Sequence, residues 1–215
     1  VERALPQVAL PVRFATTRAM TREMSFALGL GYLLGSIPFG LVLTRLAGKG
    51  DIRNIGSGNI GATNVLRTGS KWLALLTVVL DCLKATGAII LSQLLFGRET
   101  ALFAATGAMI GHLYPVWLRF RGGKGVATFL GVLIALLWPA ALVYAAIWIV
   151  LLLTLRVSSI AGMTAAISAP IVAAELHSTY SPMLLGFTLL VLWKHRENIL
   201  RLRRGTEPRI GKTKA

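Results

Sequence analysis

Residues 126–155, VATFLGVLIALLWPAALVYAAIWIVLLLTL, decide how many times this chain crosses a membrane. The stretch carries no charge. As one helix it would be about 45 Å long, against a hydrocarbon core of about 30 Å. Pro139 stands near its middle, where it removes a backbone donor and crowds the preceding turn. Two helices, 126–138 and 139–155, are therefore expected.

Around this stretch lie further apolar segments at about 25–47, 72–96, 101–118, 160–176 and 182–193, making seven spans. The segments 126–138 and 182–193 are short, and they are expected to borrow flanking residues such as 122–125 and 194–198. Basic residues fix the orientation. With the N-terminus outside, the inner face receives Arg45, Lys49, Arg53, Arg67, Lys71, Arg119, Arg121, Lys124 and Arg156. The tail adds Lys194, Arg196, Arg201, Arg203, Arg204, Arg209, Lys212 and Lys214. The outer face has Arg98 alone, apart from Arg3, Arg13, Arg18 and Arg22 near the N-terminus. Merging 126–155 into one span would send the basic tail outside, against the positive-inside rule. The expected fold is all-α and polytopic, with seven transmembrane helices, the N-terminus outside and the C-terminus cytoplasmic.

Composition agrees with this. The chain has 215 residues, 55% of them hydrophobic and only 14% charged. The mean hydropathy is +0.69. This excludes an ordinary soluble domain. The net charge of +15 lies mostly in loops between apolar segments, where it reports orientation rather than nucleic-acid binding. The lone Cys82 lies in an apolar run and offers neither a disulfide nor a metal cluster. Residues 1–23 lack a sustained apolar run and a signal-peptide pattern. They are expected to be a disordered or non-native extension ahead of Met24. The membrane domain is placed at 24–207, followed by a basic tail at 208–215.

Three polar stretches face the cytoplasm in this topology. The first, RNIGSGNIGATNVLR at 53–67, shows no helix face and no strand alternation. Its glycines allow close backbone approach, its amides and hydroxyls supply hydrogen bonds, and its arginines suit phosphate. GSGNIG formally matches a dinucleotide fingerprint, but a membrane span precedes it and Asp81 lies inside the next one. The plain alternative is a solvated connector. The second stretch, FRGGKGVAT at 120–128, lacks Walker A spacing. Its glycines and Lys124 can still cradle an anion at a helix N-terminus; the alternative is a membrane-edge turn whose cations only obey topology. The third, KHRENILRLRRGTE at 194–207, places His195 near both loops, or simply enriches a helix C-terminus in cations.

Asp81 and Lys84 lie three residues apart on one helix face near mid-bilayer. A charge there costs roughly 2.5–3.5 kcal/mol on insertion scales, so such residues turn inward and pair. They either hold helices together or form the floor of a polar pocket. His112 precedes Tyr114-Pro115 and alone reads as a helix-packing hydrogen-bonder. His112, His177 and His195 share no helical turn, and no GxSxG elbow occurs, so neither a metal set nor that serine triad is supported.

GSIPFG (35–40), IRNIGSGNIGATNVLR (52–67), DCLK (81–84), GHLYPVWLRFRGGKGVAT (111–128) and HRENILRLRRGTE (195–207) together resemble, in order and spacing, the bacterial membrane acyl-phosphate:glycerol-3-phosphate acyltransferases (PlsY). The resemblance covers residues 24–207. It implies acyl transfer from acyl phosphate to the 1-hydroxyl of sn-glycerol 3-phosphate, giving lysophosphatidate and phosphate at the start of phospholipid synthesis. It implies no cofactor, no metal and no direct use of acyl-CoA or acyl carrier protein. The chain is expected in the bacterial inner membrane with its site facing the cytosol. A functional link to the soluble enzyme that makes acyl phosphate is expected too.

Carried onto matching positions, the resemblance makes Ser57, Asn59, Asn64, Lys124, His195 and Asn198 catalytic. Ser36, Arg53, Gly56, Gly58, Thr63, Arg67, His112, Gly122, Gly123, Gly125, Thr128 and Arg196 become substrate- or phosphate-binding, and Asp81, Lys84 and Glu207 structural. A mixed anhydride already has a good leaving group, so bringing two anions together and aligning the hydroxyl can suffice. Direct attack is expected, with Arg53, Ser57 and Lys124 on phosphates. Asn59, Asn64 and His195 would place the nucleophile, and a substrate phosphate oxygen would take its proton. The rival readings are a transporter of a phosphorylated metabolite and a scaffold of lipid synthesis. Against the transporter, the anion sites cluster on one face and no repeat of broken helices is visible.

Overall fold

The computed structural model describes residues 14–211; the remaining parts of the expected N-terminal extension and basic tail, 1–13 and 212–215, lie outside the described residues. Among the described residues all regular structure is helical. In chain order the helices are α1 (Phe14–Gly35), α2 (Phe39–Leu46), α3 (Ala62–Leu66), α4 (Lys71–Phe96) and α5 (Ala101–Leu113). They continue as α6 (Val126–Leu136), α7 (Trp138–Leu155), α8 (Ser158–Glu175), α9 (Ser181–Lys194) and α10 (Arg196–Arg203). Among the described residues five stretches are long and apolar enough to cross a membrane: Thr21–Leu46, Lys71–Phe96, Arg98–Leu118, Trp138–Leu155 and Ser158–Glu175. Helices α6 and α9 are apolar but shorter.

The stretch 126–155 folds as two helices. Leu137 leaves the helical region at φ −153° and ψ 70°, and Pro139 sits in the first turn of α7, where its missing N–H has no intrahelical partner to lose. Elsewhere the expected boundaries need correction. The segment 25–47 is two helices, because Pro38 interrupts it and α2 starts again at Phe39. Residues 122–125 do not extend α6; they fold back on the end of α5 instead. Residues 196–203 form the separate helix α10 rather than a continuation of α9. The loop 53–67, expected to be irregular, contains a 3₁₀ turn at Ile52–Asn54 and the short α3. Helix α1 begins at Phe14, ahead of Met24.

The packing is that of helices in lipid. Ala85, Ala88, Ala104, Ala108, Ala165 and Ala169 are fully buried, while Leu94, Leu142, Leu153 and Ile171 are exposed. Lipid gives no hydrophobic drive between helices, so small interior residues that let backbones approach supply the contact. A Cβ added at Gly31 or Gly35 of α1 would lie 2.2 Å from a carbonyl oxygen of α5. Only glycine permits that closeness.

A buried polar cluster ties three of these elements together. Lys84 Nζ on α4 donates to Asp81 Oδ1 at 2.7 Å and to the Ile37 carbonyl, in the α1–α2 break, at 2.8 Å. It also lies 2.9 Å from His112 Nδ1 on α5. Trp117 Nε1 donates to the Ser36 carbonyl at 2.8 Å, joining the break to the chain beyond α5. The carbonyls released where Pro38 interrupts the helix thus find partners inside the protein.

Candidate active site

The first polar loop is built around Asn64. Its Nδ2 donates to the Ile52 carbonyl at 2.6 Å, and its Oδ1 accepts from Arg67 Nη1 at 3.1 Å and Ser57 N at 3.4 Å. Asn64 is almost fully buried, so it organises the loop. Gly56 has φ +57°, and a Cβ there would lie 2.3 Å from Arg67 Nη1. Asn59 Oδ1 accepts from Gly61 N at 2.8 Å, which turns the chain into α3. Arg53 goes elsewhere. Its Nε lies 2.9 Å and its Nη2 2.5 Å from the Asp51 carboxylate, which Arg45 also contacts at 2.7 Å. The Arg53 guanidinium holds the Asp51 carboxyl far below the usual carboxylate range.

The second loop packs on the end of α5. Gly123 N donates to the His112 carbonyl at 3.0 Å, and Gly122 N to the Leu113 carbonyl at 3.2 Å. A Cβ at Gly122 would lie 2.1 Å from the His112 carbonyl oxygen, and one at Gly123 2.1 Å from His112 Nε2. These two N–H groups were expected to cradle phosphate. They are instead occupied by carbonyls, and the glycines serve close packing. Lys124, directly after them, donates a short hydrogen bond to Asn198 Oδ1. Burial pushes the Lys124 ammonium down to about 8, and Arg201 acts in the same direction.

The third stretch supplies the partners of Lys124. Gly205, at φ +68°, ends α10 and turns the chain back so that Glu207 faces it. Glu207 Oε1 accepts from Ser159 Oγ at 2.7 Å and Asn198 Nδ2 at 2.6 Å, and its Oε2 from Arg201 Nε at 2.7 Å. Burial alone would raise this carboxyl, but the hydrogen bonds from Ser159, Asn198 and Arg201 hold it below its ordinary value. Glu207 thereby orients the Asn198 amide, whose oxygen is left to face Lys124. The Ile210 N–H donates to the Arg156 carbonyl at 2.7 Å, which draws the segment after α10 back to the α7–α8 turn.

His195 lies 2.8 Å from the Val191 carbonyl through Nδ1. A carbonyl only accepts, so Nδ1 carries the proton and Nε2 offers a lone pair. Burial, with Lys124 next, pushes the His195 ring down to about 4. It is neutral at pH 7.

A cavity of about 790 Å³ unites the three stretches. Of the residues singled out in the sequence, Gly56, Ser57, Asn59, Thr63, Asn64 and Arg67 line it, with Lys124, Gly125, His195 and Asn198. Asp81, His112 and Glu207, drawn from α4, α5 and the chain end, line it too. Ser36, Arg53, Gly58, Lys84, Gly122, Gly123, Thr128 and Arg196 stand outside its lining. Ser36 Oγ donates to the Leu33 carbonyl at 2.7 Å, and Arg196 stacks over Trp193 at 5.3 Å. The Thr128 hydroxyl is buried without a hydrogen-bond partner. Ser159, Arg201 and Arg209 line the cavity and were not singled out as site residues. In sequence Arg201 and Arg209 are two of many tail cations, and Ser159 is one small polar residue at a helix start. Nothing local distinguishes them. Leu66, Val78, Leu130 and Trp148 add an apolar wall. Among the described residues no group of three or more His, Cys, Asp or Glu could hold a metal ion.

Residues 25–205 match the family model described as glycerol-3-phosphate acyltransferase. A glycerol-3-phosphate acyltransferase of Rhodopseudomonas palustris (strain BisB5) is 55% identical over 189 residues, covering 87% of this chain and 96% of the relative. The enzyme of that name from Mesorhizobium japonicum is 55% identical over 193 residues, covering 89% and 98%. Among solved structures, PlsY (YgiH), an integral membrane glycerol 3-phosphate acyltransferase in its glycerol 3-phosphate form, is similar at a TM-score of 0.81 and 40% identity. That match covers 87% of this chain and 96% of the other. The lysophosphatidic acid form of PlsY gives a TM-score of 0.79 at 38% identity, covering 87% and 95%. On these matches, the chain belongs to the glycerol-3-phosphate acyltransferase family.

Proposed function

We propose that this chain transfers a fatty acyl group from acyl phosphate to the 1-hydroxyl of sn-glycerol 3-phosphate, releasing lysophosphatidate and inorganic phosphate. The observation that carries the reading is one cavity with two unlike walls. Arg67, Lys124 and Arg209 provide cations for two phosphates, while Leu66, Val78, Leu130 and Trp148 provide an apolar surface for an acyl chain. A phosphorylated amphiphile fits such a site, and a water-soluble phosphorylated alcohol can share its polar side.

The residues divide the work. Lys124 and Arg67 neutralise phosphate charge, and charge-assisted bonds from Arg suit that geometry. Arg67 takes the role first expected of Arg53, which Asp51 already occupies. Ser57 and Asn59 line the same wall and can add hydrogen bonds. His195 Nε2 accepts a hydrogen bond from the attacking hydroxyl and so aligns its oxygen. With its pKa down at about 4, His195 is a weak base at pH 7, so a phosphate oxygen of a substrate takes the proton. Attack is direct, without an acyl-enzyme.

The same reading holds that the chain spans a bacterial inner membrane seven times, with the N-terminus outside and the cavity facing the cytosol. The soluble producer of acyl phosphate would then work beside it. Residues 1–23 are read as an extension that takes no part in this chemistry. The test is purified protein in detergent with acyl phosphate and glycerol 3-phosphate, read as phosphate release. Turnover without accumulation of labelled acyl-enzyme is expected. Uptake of glycerol 3-phosphate into liposomes with no turnover would instead establish a transporter.

A further inference from the structure

His112 is not explained by helix packing alone. Its Nδ1 lies 2.9 Å from Lys84 Nζ, and that ammonium also reaches Asp81 Oδ1 at 2.7 Å and the Ile37 carbonyl at 2.8 Å. An ammonium has three N–H donors and no acceptor, so all three are used and Nδ1 must be the accepting nitrogen. The neutral ring therefore carries its proton on Nε2. Asp81 and Lys84 thus determine which edge of a neighbouring ring can donate.

That edge faces a glycine rather than a side chain. His112 is 5% exposed, and it lines the cavity. A Cβ at Gly123 would lie 2.1 Å from Nε2, so any larger residue at that position would crowd the donor. Gly123 is followed by Lys124, while Asp81 stands one turn beyond Val78 on α4. The imidazole therefore lies where the cationic side of the cavity meets its apolar wall. In an acyl phosphate the carbonyl group occupies that junction, between phosphate and chain.

We propose that His112, locked in its Nε2–H tautomer by Lys84, donates a hydrogen bond to the acyl carbonyl oxygen as it becomes an oxyanion. This rests on the acyl-phosphate reading above. The glycerol 3-phosphate hydroxyl oxygen forms a bond to the carbonyl carbon, and the carbonyl π pair moves to oxygen, facing Nε2–H. As the carbonyl re-forms, the bond from carbon to the bridging oxygen breaks, and its electron pair leaves with phosphate. The hydroxyl proton goes to a phosphate oxygen. His112 keeps its own proton throughout, so it is a fixed donor rather than a base.

The experiment is steady-state turnover of the detergent-purified full chain, comparing His112→Leu, His112→Gln and Gly123→Ala, with inorganic phosphate as a competing ligand. Loss of one oxyanion donor lowers kcat by about 10²–10³-fold, and that drop is expected in His112→Leu. KM for both substrates and the phosphate inhibition constant should stay within about threefold, since ground-state binding is untouched. His112→Gln, which restores an N–H donor, should recover about tenfold or more of the lost kcat. Gly123→Ala should copy the kcat loss by displacing the ring. Normal kcat in His112→Leu overturns the proposal. So does a parallel weakening of phosphate inhibition, which would make His112 a prop for the Lys124 turn. If His112→Leu fails to fold, normal kcat in Gly123→Ala overturns it equally. No turnover by the unsubstituted chain sinks the acyl-phosphate reading itself, and the donor role with it.

Discussion

The two glycine-rich turns look alike in sequence and work by different physics. In the turn 56–61, Gly56 and Gly58 have φ of +57° and +66°. Their backbone bends where a side chain would be strained, and this lets Asn64 and Arg67 close behind them. In the turn 122–125, Gly122 and Gly123 are absent from the positive-φ glycines, yet a Cβ on either would collide with His112. The first turn needs glycine for conformation at Gly56 and Gly58; the second needs it for room at Gly122 and Gly123, and for conformation only at Gly125, whose φ is +86°. Their cations differ too. Arg53 is partly exposed and paired with Asp51, whereas Lys124 is largely enclosed and reaches the Asn198–Glu207 pair. A glycine-rich turn beside a cation is thus no single device. The useful cation is the one whose surroundings were not already neutralised by a neighbour in the chain.

The sharpest way to break this contrast is to remove one cation from each turn. Lys124→Ala should lower kcat/KM by about 10³-fold, because it removes a phosphate-stabilising charge from an enclosed site, where such charges count most. Arg53→Ala should change it by less than about tenfold, since that side chain is spent on an exposed pair with Asp51. Equal losses in the two variants would discredit the division. The unsubstituted enzyme should show the same asymmetry with pH. Lys124 sits at about 8, lowered by burial, so it is charged below that value and neutral above it. The kcat/KM for glycerol 3-phosphate should hold on the acid side of about 8 and fall as pH rises beyond it. A flat profile through pH 9 would show that the ammonium is not required.

A smaller effect separates the glycines themselves. Gly122→Ala forces backbone to move and should cost about 10²-fold in activity, by displacing Lys124 from its partners. Gly58→Ala meets only the Arg53 carbonyl, at 3.2 Å, and should cost about 1 kcal/mol of stability through its left-handed backbone, with most activity kept. Thermal unfolding alongside turnover measures both. Reversal of this order would mean that the first turn, not the second, positions the reacting groups.

Much of this was legible in the chain, and the gaps have physical causes. The break at 137–139 follows from Pro139 and the thickness of a bilayer, both local facts. Pro38 is as local, yet the break there lay hidden in a continuous apolar run, because a proline in a membrane helix can also be accommodated without one. Ser57, Asn59, Lys124 and His195 were marked by residue type and motif, and the cavity gathers them. Arg201 and Ser159 were not, because their value lies in meeting Glu207 from other helices. Arg53 was over-read for the converse reason: Asp51 is only two residues away in sequence, but only the folded turn shows its carboxylate holding the guanidinium through Nε and Nη2.

The amino-acid sequence by itself determined a membrane-embedded helical chain, the three polar stretches whose residues line one cavity, and the family to which they point. Hydropathy, proline position and motif spacing are properties of neighbours along the chain, and they survive without coordinates. Only the tertiary structure decided which cations remain available to a ligand, which glycines are there for space, and which nitrogen of His112 and of His195 bears the proton. Those depend on hydrogen bonds between residues far apart in sequence, such as Lys84 to His112 and Lys124 to Asn198. A donor spent on one partner is withdrawn from every other, and that allocation is made only when the helices pack.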